Sequence, residues 1–244
     1  MAKTDTRRIT LGGVEFPVRF LCSATPVLYF LPFQNRAGQL AHPETVSLPV
    51  EALRRSMAEF GSESFAEYNL LLGRFASLLL PYGRCLFHGV ALAVGDRAYL
   101  LTGPSGVGKT TQYRLWKQLY GDGVRLICGD KPILQFREDG DILVHPSPWM
   151  GKERLPGGPA ARLAGIVCLE QGTGNSIRPL PVPEAVVPLY TQLLYEPAAE
   201  AELRQTAAML DRLLRAVPIW KLVNVGDEAS ARLTHDTLCG KENV

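Results

Sequence analysis

The 244-residue sequence predicts an α/β protein in which helices flank a mixed sheet, with a small N-terminal α+β lobe in front of this core. Three observations predict this class. From residue 85 onwards, apolar β-type runs alternate with helical patterns. A glycine-rich turn at residues 103–108 joins one of these runs to a helical pattern. Two β-type runs before this turn and a hairpin pattern after it favour a mixed sheet over a purely parallel one.

The first 82 residues predict the small lobe. Residues 8–33 contain three short β-type runs punctuated by Gly and Pro, which indicate a small antiparallel element. Residues 48–60 and 64–80 have the 3.6-residue spacing of helices. The second helix places five large apolar side chains on one face: Phe65, Tyr68, Leu72, Phe75 and Leu79. Pro81-Tyr82-Gly83 ends this helix, and we expect the lobe to dock on the core through the apolar face.

Residues 83–244 predict the core. Strand patterns occupy residues 85–94, 98–103, 125–130, 162–170 and 219–225. Residues 136–144 predict a hairpin around Asp139-Gly140. Helical patterns occupy residues 112–119, 183–194, 199–217 and 228–240, and the last of them stops at a glycine. Strands that alternate with helices around the glycine-rich turn are typical of an α/β core.

The glycine-rich turn lies in LLTGPSGVGKTTQ, residues 100–112, and matches the phosphate-loop template G-x-x-x-x-G-K-[ST] without a gap. Its glycines allow successive backbone N–H groups to turn inward around an anion, and the following helix adds its positive N-terminus. Lys109 is predicted to reach the β- and γ-phosphates, and the Thr110 hydroxyl to bind Mg²⁺. The predicted nucleotide-binding residues are Gly103, Ser105, Gly106, Val107, Gly108, Lys109, Thr110 and Thr111. The alternative is a tight turn that binds nothing.

A phosphate loop needs a carboxylate at the end of a neighbouring strand to hold Mg²⁺. Asp130 follows the apolar run 125–128, and it lies only 21 residues after Lys109. It is therefore predicted as a metal ligand together with Thr110. The alternative is a turn residue in the sequence G-D-K-P.

Three further polar residues have two interpretations each. His88 lies in an apolar strand pattern and is either a hydrogen-bonded core residue or part of the site. Lys152 lies in a Pro/Gly-rich segment that could close over the phosphates and add a positive charge there. Otherwise Lys152 is solvated, and Trp149 fills the core. Glu170 ends a buried strand and is either a group that orients water or a lysine, or a simple strand-end charge.

Composition limits the partners and the compartment. The chain has 26 Lys and Arg against 24 Asp and Glu, a net charge of +2, with no block of like charges. This balance disfavours nucleic acid or an anionic membrane as the main partner. Five cysteines without metal-ligand spacing indicate reduced thiols. No signal-peptide pattern and no apolar run of about 18 residues is present, so we expect a soluble cytoplasmic protein.

The motifs L-F-H-G-V, G-P-S-G-V-G-K-T-T and R-L-I-C-G-D occur in that order. In this combination the sequence resembles the kinase domain of the HPr kinase/phosphorylase family, which shares its nucleotide-binding fold with phosphoenolpyruvate carboxykinase. The later motifs G-D-K-P-I-L, P-S-P-W-M-G-K-E and L-A-G-I-V-C-L-E are similar to those of short HPr-kinase-like proteins found beside peptide-modification genes. The resemblance covers about residues 64 to 240.

The resemblance implies roles for single residues. Asp130 would be the general base that takes the proton of the acceptor hydroxyl, with His88 beside it to tune its charge or meet the phosphate. The family has two adjacent aspartates at this strand end, whereas this chain has Gly129-Asp130. The resemblance therefore implies neither a reverse phosphorylase activity nor a second metal. The family's Arg-Gly-Leu-Gly loop is also absent, so HPr itself is not implied as the acceptor.

Together, these features predict a Mg²⁺-dependent kinase that transfers the γ-phosphoryl group of ATP, or another nucleoside triphosphate, to a hydroxyl group. The predicted catalytic residues are Asp130, His88, Lys109 and Lys152. The resemblance implies a Ser or Thr of a small protein or peptide as the acceptor, and a homo-oligomer. Three alternatives remain: a small-molecule alcohol kinase, an NTPase switch, and a nucleotide-binding subunit without catalysis.

Overall fold

The computed structural model describes residues 5–151, 154, 157–195 and 200–240. The chain forms a three-stranded sheet near its N-terminus and then a ten-stranded mixed sheet with helices packed on it. The large mixed sheet and its flanking helices agree with the α/β class that the sequence predicts. In the described parts of the chain, no helix combines the length and the apolar character needed to cross a bilayer.

From residue 5 onwards, the front lobe forms three strands and three α-helices. In chain order they are β1 (Asp5–Leu11), β2 (Val14–Phe20), α1 (Thr25–Leu28), β3 (Leu40–Ala41), α2 (Val50–Phe60) and α3 (Glu63–Leu78). β1 and β2 pair antiparallel, as the β-type pattern predicts. The prediction of a strand within residues 27–33 is wrong, because this segment forms α1 and a 3₁₀ turn at Leu31–Phe33. Pro26 and Pro32 begin these two helical turns, and a proline cannot donate a hydrogen bond to a sheet.

The apolar face of α3 packs against the large sheet. Phe75 and Leu79 lie in one buried cluster with Leu86, Ile133 and Trp149. Phe65, which the helical spacing places on the same face, is 38% exposed and lies outside this cluster. A second contact joins the two sheets, since the buried Arg84 donates from Nε to the Gly12 carbonyl over 2.8 Å.

The described residues of the core form ten strands and four helices. In chain order they are β4 (Arg84–Phe87), β5 (Gly89–Val94), β6 (Arg97–Thr102), α4 (Lys109–Tyr120), β7 (Val124–Cys128), β8 (Ile133–Phe136), β9 (Ile142–His145), β10 (Ala161–Gln171), β11 (Ser176–Pro179), α5 (Val182–Tyr190), β12 (Leu193–Leu194), α6 (Glu200–Ala216), β13 (Ile219–Asn224) and α7 (Glu228–Cys239).

The large sheet has the order β12-β4-β8-β9-β10-β6-β5-β7 and forks at the long strand β10. One edge of β10 pairs first with β9 at Ala161 and Arg162, and then with β13 from Ile166 to Gln171. β13 in turn pairs with β11. Strands β6, β10 and β13 are parallel, while β5 runs antiparallel to both β6 and β7. The carboxyl ends of β6, β7, β10 and β13 therefore lie at the same edge of the sheet.

The pattern of residues 85–94 predicts one strand, but the structure has two. β4 pairs with β8 and β12, whereas β5 pairs with β6 and β7. The chain changes neighbours at His88, where Phe87 N–H donates to the Pro132 carbonyl and Gly89 N–H donates to the Asp130 carbonyl. Both halves of the pattern are buried β structure, so the apolar run alone does not reveal the break.

The two faces of the sheet bury different helices. Along β6, Ala98 and Leu100 pack in the cluster that includes residues of α5 and α6. The alternate residues Tyr99 and Leu101 pack in the cluster that includes Trp116 of α4 and Ala231 of α7. This alternation is the period-2 pattern of a strand covered on both faces. The resulting three layers bury the end of β6 and hold the glycine-rich turn at the edge of the sheet.

The pattern of residues 183–194 predicts one helix, but α5 ends at Tyr190. After a turn at Thr191 and Gln192, Leu193 and Leu194 form β12, which pairs with Phe87 and Leu86 of β4. The pairing with a distant strand therefore overrides the local helical pattern of these last residues.

We predict that the front lobe stays docked on the core. The apolar contact of α3 and the Arg84 hydrogen bond both oppose separation at residues 81–83. Limited proteolysis of the intact chain should leave this junction uncut while exposed loops are cleaved. Arg84→Met, which keeps the alkyl chain but removes the bond to Gly12, should make the junction more sensitive.

Arg74→Met makes the same chemical change on an exposed part of α3 and should leave the cleavage pattern unchanged. Rapid cutting near Tyr82 that releases a stable fragment of residues 83–244 from the unchanged chain would contradict the docked arrangement.

Candidate active site

The glycine loop, residues 103–108, connects the end of β6 to the start of α4. Gly103, Gly106 and Gly108 have φ angles of 137°, 81° and 103°, which side chains disfavour. A Cβ atom at Gly103 would also lie 2.9 Å from the Leu169 carbonyl oxygen of β10. Gln171, at the end of β10, donates from Nε2 to the Gly106 carbonyl over 3.3 Å. The residue types of the predicted phosphate loop thus fit its backbone conformation.

Lys109 is the first residue of α4 and is only 8% exposed. Its Nζ donates to the carbonyls of Gly103 and Pro104 over 2.8 and 3.0 Å, which holds the ammonium group at the loop. Burial lowers the pKa of Lys109; the charge of Asp130 opposes this effect and that of Lys131 adds to it. The ammonium group is therefore poorly solvated, and an anion bound at the loop would stabilise its charge.

The antiparallel course of β5 explains why His88 and Asp130 meet. β5 begins where β6 and β7 end, because it runs antiparallel to both of them. Gly89 N–H donates to the Asp130 carbonyl over 2.8 Å. Thr102 Oγ1 donates to the His88 carbonyl over 2.9 Å. Residues that are distant in the sequence therefore lie together beside the glycine loop.

Asp130 has two close side-chain neighbours, the His88 ring and the charged Lys131. Its Oδ1 lies 3.4 Å from His88 Nε2, and its Oδ2 accepts a hydrogen bond from Lys131 Nζ at 2.8 Å. Lys131 was not selected from the sequence, and alternation along a strand would place it on the opposite side from Asp130. β7 ends at Cys128, however, so this alternation does not apply to Lys131.

A cavity of about 460 Å³, the phosphate-side cavity, joins the glycine loop to these residues. Its polar lining includes His88, Lys109, Thr110, Asp130 and Lys131. The two lysines outnumber the one carboxylate, so the charges favour an anion. Among the described residues, no three His, Cys, Asp or Glu side chains form a metal cluster. Mg²⁺ commonly takes one or two protein ligands together with phosphate and water, and the Thr110 hydroxyl and Asp130 carboxylate are oxygen ligands of the right kind.

Gln192 holds the other side of the His88 ring and was not selected from the sequence. Its Oε1 lies 2.8 Å from His88 Nδ1, and its main-chain carbonyl accepts from His88 N–H at 2.8 Å. Thr191 Oγ1 donates to the Pro188 carbonyl, so it can only accept the hydrogen bond from Gln192 Nε2 at 2.9 Å. Gln192 therefore presents its oxygen to His88, and Nδ1 carries the hydrogen.

The electrostatic surroundings keep His88 neutral. Burial lowers its pKa, the charges of Lys131 and Lys109 lower it further, and Asp130 and Gln192 oppose the shift. In a neutral ring with hydrogen on Nδ1, the lone pair is on Nε2. Both His88 Nε2 and Asp130 Oδ1 can therefore accept a proton at the phosphate-side cavity. Nothing in the sequence indicates Gln192, because it is 104 residues from His88 and lies in a helical pattern.

Gly129 explains why a second aspartate does not precede Asp130. A Cβ atom at this position would lie 2.5 Å from the Met150 carbonyl oxygen, which is far closer than van der Waals contact. Lys131 N–H donates to the Trp149 carbonyl over 2.9 Å and holds the same segment in place. The main chain of residues 149–150 thus occupies the space that a side chain at position 129 would need.

Lys152 and Glu170 are the two remaining candidates from the sequence. Lys152 lies outside the described residues, so its predicted role stays a prediction. Glu170 is on the other side of the glycine loop, where its Oε2 pairs with Lys221 Nζ at 2.6 Å. Trp149 is buried against the front lobe, and its Nε1 donates to the Tyr68 carbonyl over 3.0 Å.

A larger cavity of about 780 Å³, the β10-side cavity, lies on that side of the loop. Residues of the glycine loop, the end of β10 and helix α5 line it. Ser105 and Gly106 line both cavities. The tip of the glycine loop is therefore the wall between them.

Comparison of the sequence with protein-family models and with curated proteins gave no match. Among solved structures, the HPr(Ser) kinase/phosphatase from Coxiella burnetii aligns with 62% of this chain and 95% of its own. The sequence identity is 11% and the TM-score is 0.34. At this identity and TM-score, the similarity does not establish that the chain belongs to the family that its motifs resemble.

We predict that Gly129→Ala destabilises the chain by about 1–3 kcal/mol, because the added methyl group forces the segment at Met150 to move. Chemical denaturation measures the change in the free energy of unfolding. Gly123→Ala is the matched control, since a Cβ atom there meets nothing within 4 Å. Equal stability of the two variants would show that Met150 does not approach Gly129 this closely.

We also predict that neutral His88 carries its hydrogen on Nδ1. The ring nitrogen shifts of ¹⁵N-labelled protein report this tautomer directly. Gln192→Leu removes the acceptor and should produce a mixture of tautomers, whereas Gln205→Leu makes the same change at an exposed position of α6 and should not. Hydrogen on Nε2 in the unchanged protein would contradict the arrangement described for Gln192.

Proposed function

We propose that the protein is a Mg²⁺-dependent kinase that transfers the γ-phosphoryl group of ATP, or another nucleoside triphosphate, to a hydroxyl group. One observation carries the proposal: Lys109, Lys131, Asp130 and His88 surround one cavity at the point where the glycine loop enters α4. The cations fit the phosphates, and Asp130 and His88 can accept a proton in the same cavity.

The glycine loop and Lys109 are assigned to phosphate binding. Backbone N–H groups at the start of α4 have no partner within the helix and carry its positive end. Lys109 adds a full charge, and its low exposure makes a contact with phosphate stronger than it would be in water. Thr110 is assigned to Mg²⁺, which in a bound triphosphate would neutralise charge on the β- and γ-phosphate oxygens.

Asp130 is assigned to the proton of the acceptor. As the acceptor oxygen forms its bond to the γ-phosphorus, the bond to the bridging β–γ oxygen breaks, and the nucleoside diphosphate leaves with that electron pair. Asp130 takes the hydroxyl proton, and His88 Nε2 is a second acceptor 3.4 Å from its Oδ1.

Lys131 is assigned the role of an additional positive charge at the transferring group, which the sequence suggested for Lys152. It is a cation of the phosphate-side cavity, and its side chain is 16% exposed. A charge held there stabilises the negative charge that develops on the transferring group. The ion pair with Asp130 also holds the two side chains side by side in the cavity.

The acceptor class rests on the sequence resemblance, which favours a Ser or Thr hydroxyl of a small protein or peptide. We assign acceptor recognition to residues 146–158 and the front lobe. The described part of this segment contacts the lobe: Tyr68 Oη donates to the Pro148 carbonyl over 3.3 Å, and Arg154 lies over the Tyr29 ring at 4.7 Å. A small alcohol would be phosphorylated by the same machinery.

The test separates phosphate binding from transfer. Lys109→Met should abolish the binding of Mg²⁺-ATP, measured by calorimetry, because it removes the charge from the phosphate site. Asp130→Asn should bind Mg²⁺-ATP within a few-fold but transfer phosphate at least about 100-fold more slowly, because an amide cannot accept the proton. Transfer is measured with γ-labelled ATP and a peptide library built around one Ser or Thr.

Lys117→Met on α4 and Asp122→Asn in the following turn are matched controls at exposed positions and should change neither quantity. Normal ATP binding by Lys109→Met would refute the phosphate-site assignment. ATP binding by the unchanged protein without transfer to any peptide and without hydrolysis would favour a nucleotide-binding subunit over a kinase.

A further inference from the structure

We propose that the β10-side cavity binds the nucleoside of the phosphoryl donor, with the base between the apolar walls and the ribose near the carboxylates. This inference rests on the proposed function, because it requires that the triphosphate lies at the glycine loop. It adds a second binding site to the phosphate site, on the other side of the loop.

The two cavities meet at the tip of the glycine loop. Ser105 and Gly106 line both cavities, so a molecule bound along the loop can occupy both sides of its tip. The γ-phosphoryl group must lie at Asp130 for transfer, and this fixes one end of the donor in the phosphate-side cavity. The β10-side cavity is then the adjoining space for the other end.

The order of the strands places the end of β10 beside the strand that leads into the glycine loop. β6 leads into the glycine loop, and β5 and β7 lie on one side of it. His88 immediately precedes β5, and Asp130 follows β7, both at the loop edge. β10 and β13 lie on the other side of β6 and run parallel to it. Ligands of α/β proteins bind outside the carboxyl ends of such parallel strands. A donor that extends from Asp130 across β6 therefore reaches the end of β10.

The walls of the β10-side cavity have the chemistry that a nucleoside requires. Leu180, Val187 and Pro188 give the cavity apolar surface of the kind that buries a flat heterocyclic ring. Two carboxylates provide acceptors for ribose hydroxyl groups. Glu184 is paired with Arg178 at 2.6 Å, and Glu170 is paired with Lys221 at 2.6 Å. These pairs reduce the repulsion between the carboxylates and a nearby triphosphate.

The size of the β10-side cavity also suits a nucleoside. The cavity holds about 780 Å³, within the range of sites that bury a drug-sized ligand. The phosphate-side cavity is smaller, about 460 Å³, and its charged and polar side chains suit the phosphates and the acceptor hydroxyl. The β10-side cavity is the larger and more apolar of the two, and it therefore suits the nucleoside, which is the uncharged part of the donor.

The test compares a ligand that has a nucleoside with one that does not. Val187→Trp fills part of the cavity from α5, at a position that is 67% exposed and so tolerates a larger side chain. It should raise the Kd of Mg²⁺-ATP at least about tenfold and change that of Mg²⁺-tripolyphosphate less than twofold. Val186→Trp is the matched control, because Val186 is the neighbouring residue on the same helix and does not line the cavity.

Glu184→Gln provides a second variant that keeps the volume of the side chain. It should weaken Mg²⁺-ATP several-fold and leave Mg²⁺-tripolyphosphate unchanged, since it replaces only one acceptor of the ribose. Adenosine alone should compete with Mg²⁺-ATP in the unchanged protein but not with tripolyphosphate.

The possible outcomes separate the two proposals. If the unchanged protein binds neither Mg²⁺-ATP nor Mg²⁺-tripolyphosphate, the proposed function fails and the inference fails with it. If both ligands bind and neither variant discriminates between them, only the inference is overturned. Normal ATP binding by Val187→Trp with a raised KM for the peptide library would also overturn it, and would assign the cavity to the acceptor.

Discussion

The hydrogen bond between Gly89 N–H and the Asp130 carbonyl is the contact on which the candidate site depends. It joins the start of β5 to the turn after β7, at the edge where β6 enters the glycine loop. This junction exists because β5 runs antiparallel between β6 and β7. If β5 ran parallel to them, its first residue would lie at the opposite edge, and His88 would be several strand residues away from Asp130.

The charges of the site follow from this arrangement. Asp130 is surrounded by Lys131 and His88, and Lys109 is held at the loop close by. Because burial and the two lysines lower the pKa of His88, its ring stays neutral, and Gln192 fixes the hydrogen on Nδ1. The site therefore combines positive charge for an anion with two groups that can accept a proton. Phosphoryl transfer to a hydroxyl needs both properties, whereas phosphate binding needs only the first.

Close main-chain contacts keep the surrounding segments in position. The Met150 carbonyl leaves no room for a side chain at Gly129, and the Leu169 carbonyl leaves none at Gly103. The first contact brings residues 149–150 against the turn that carries Asp130, and the second brings the glycine loop against β10. These approaches shape the two cavities on either side of the loop tip, and both require glycine. Consequently, the single aspartate at residues 129–130 follows from packing as well as from chemistry.

The sequence by itself determined the α/β class, the glycine loop with its following helix, and the hairpin of β8 and β9, because these depend on local periodicity and turn residues. It also selected Asp130, whose place at a strand end is a local property. Only the tertiary structure decided that residues 85–94 form two strands, that α5 ends before Gln192, and that Lys131 shares the cavity. Each of these depends on pairing or packing with residues far away in the chain. Apolar runs show that a segment is buried, but they do not show which strand lies beside it, and the neighbouring strand decides which polar side chains meet.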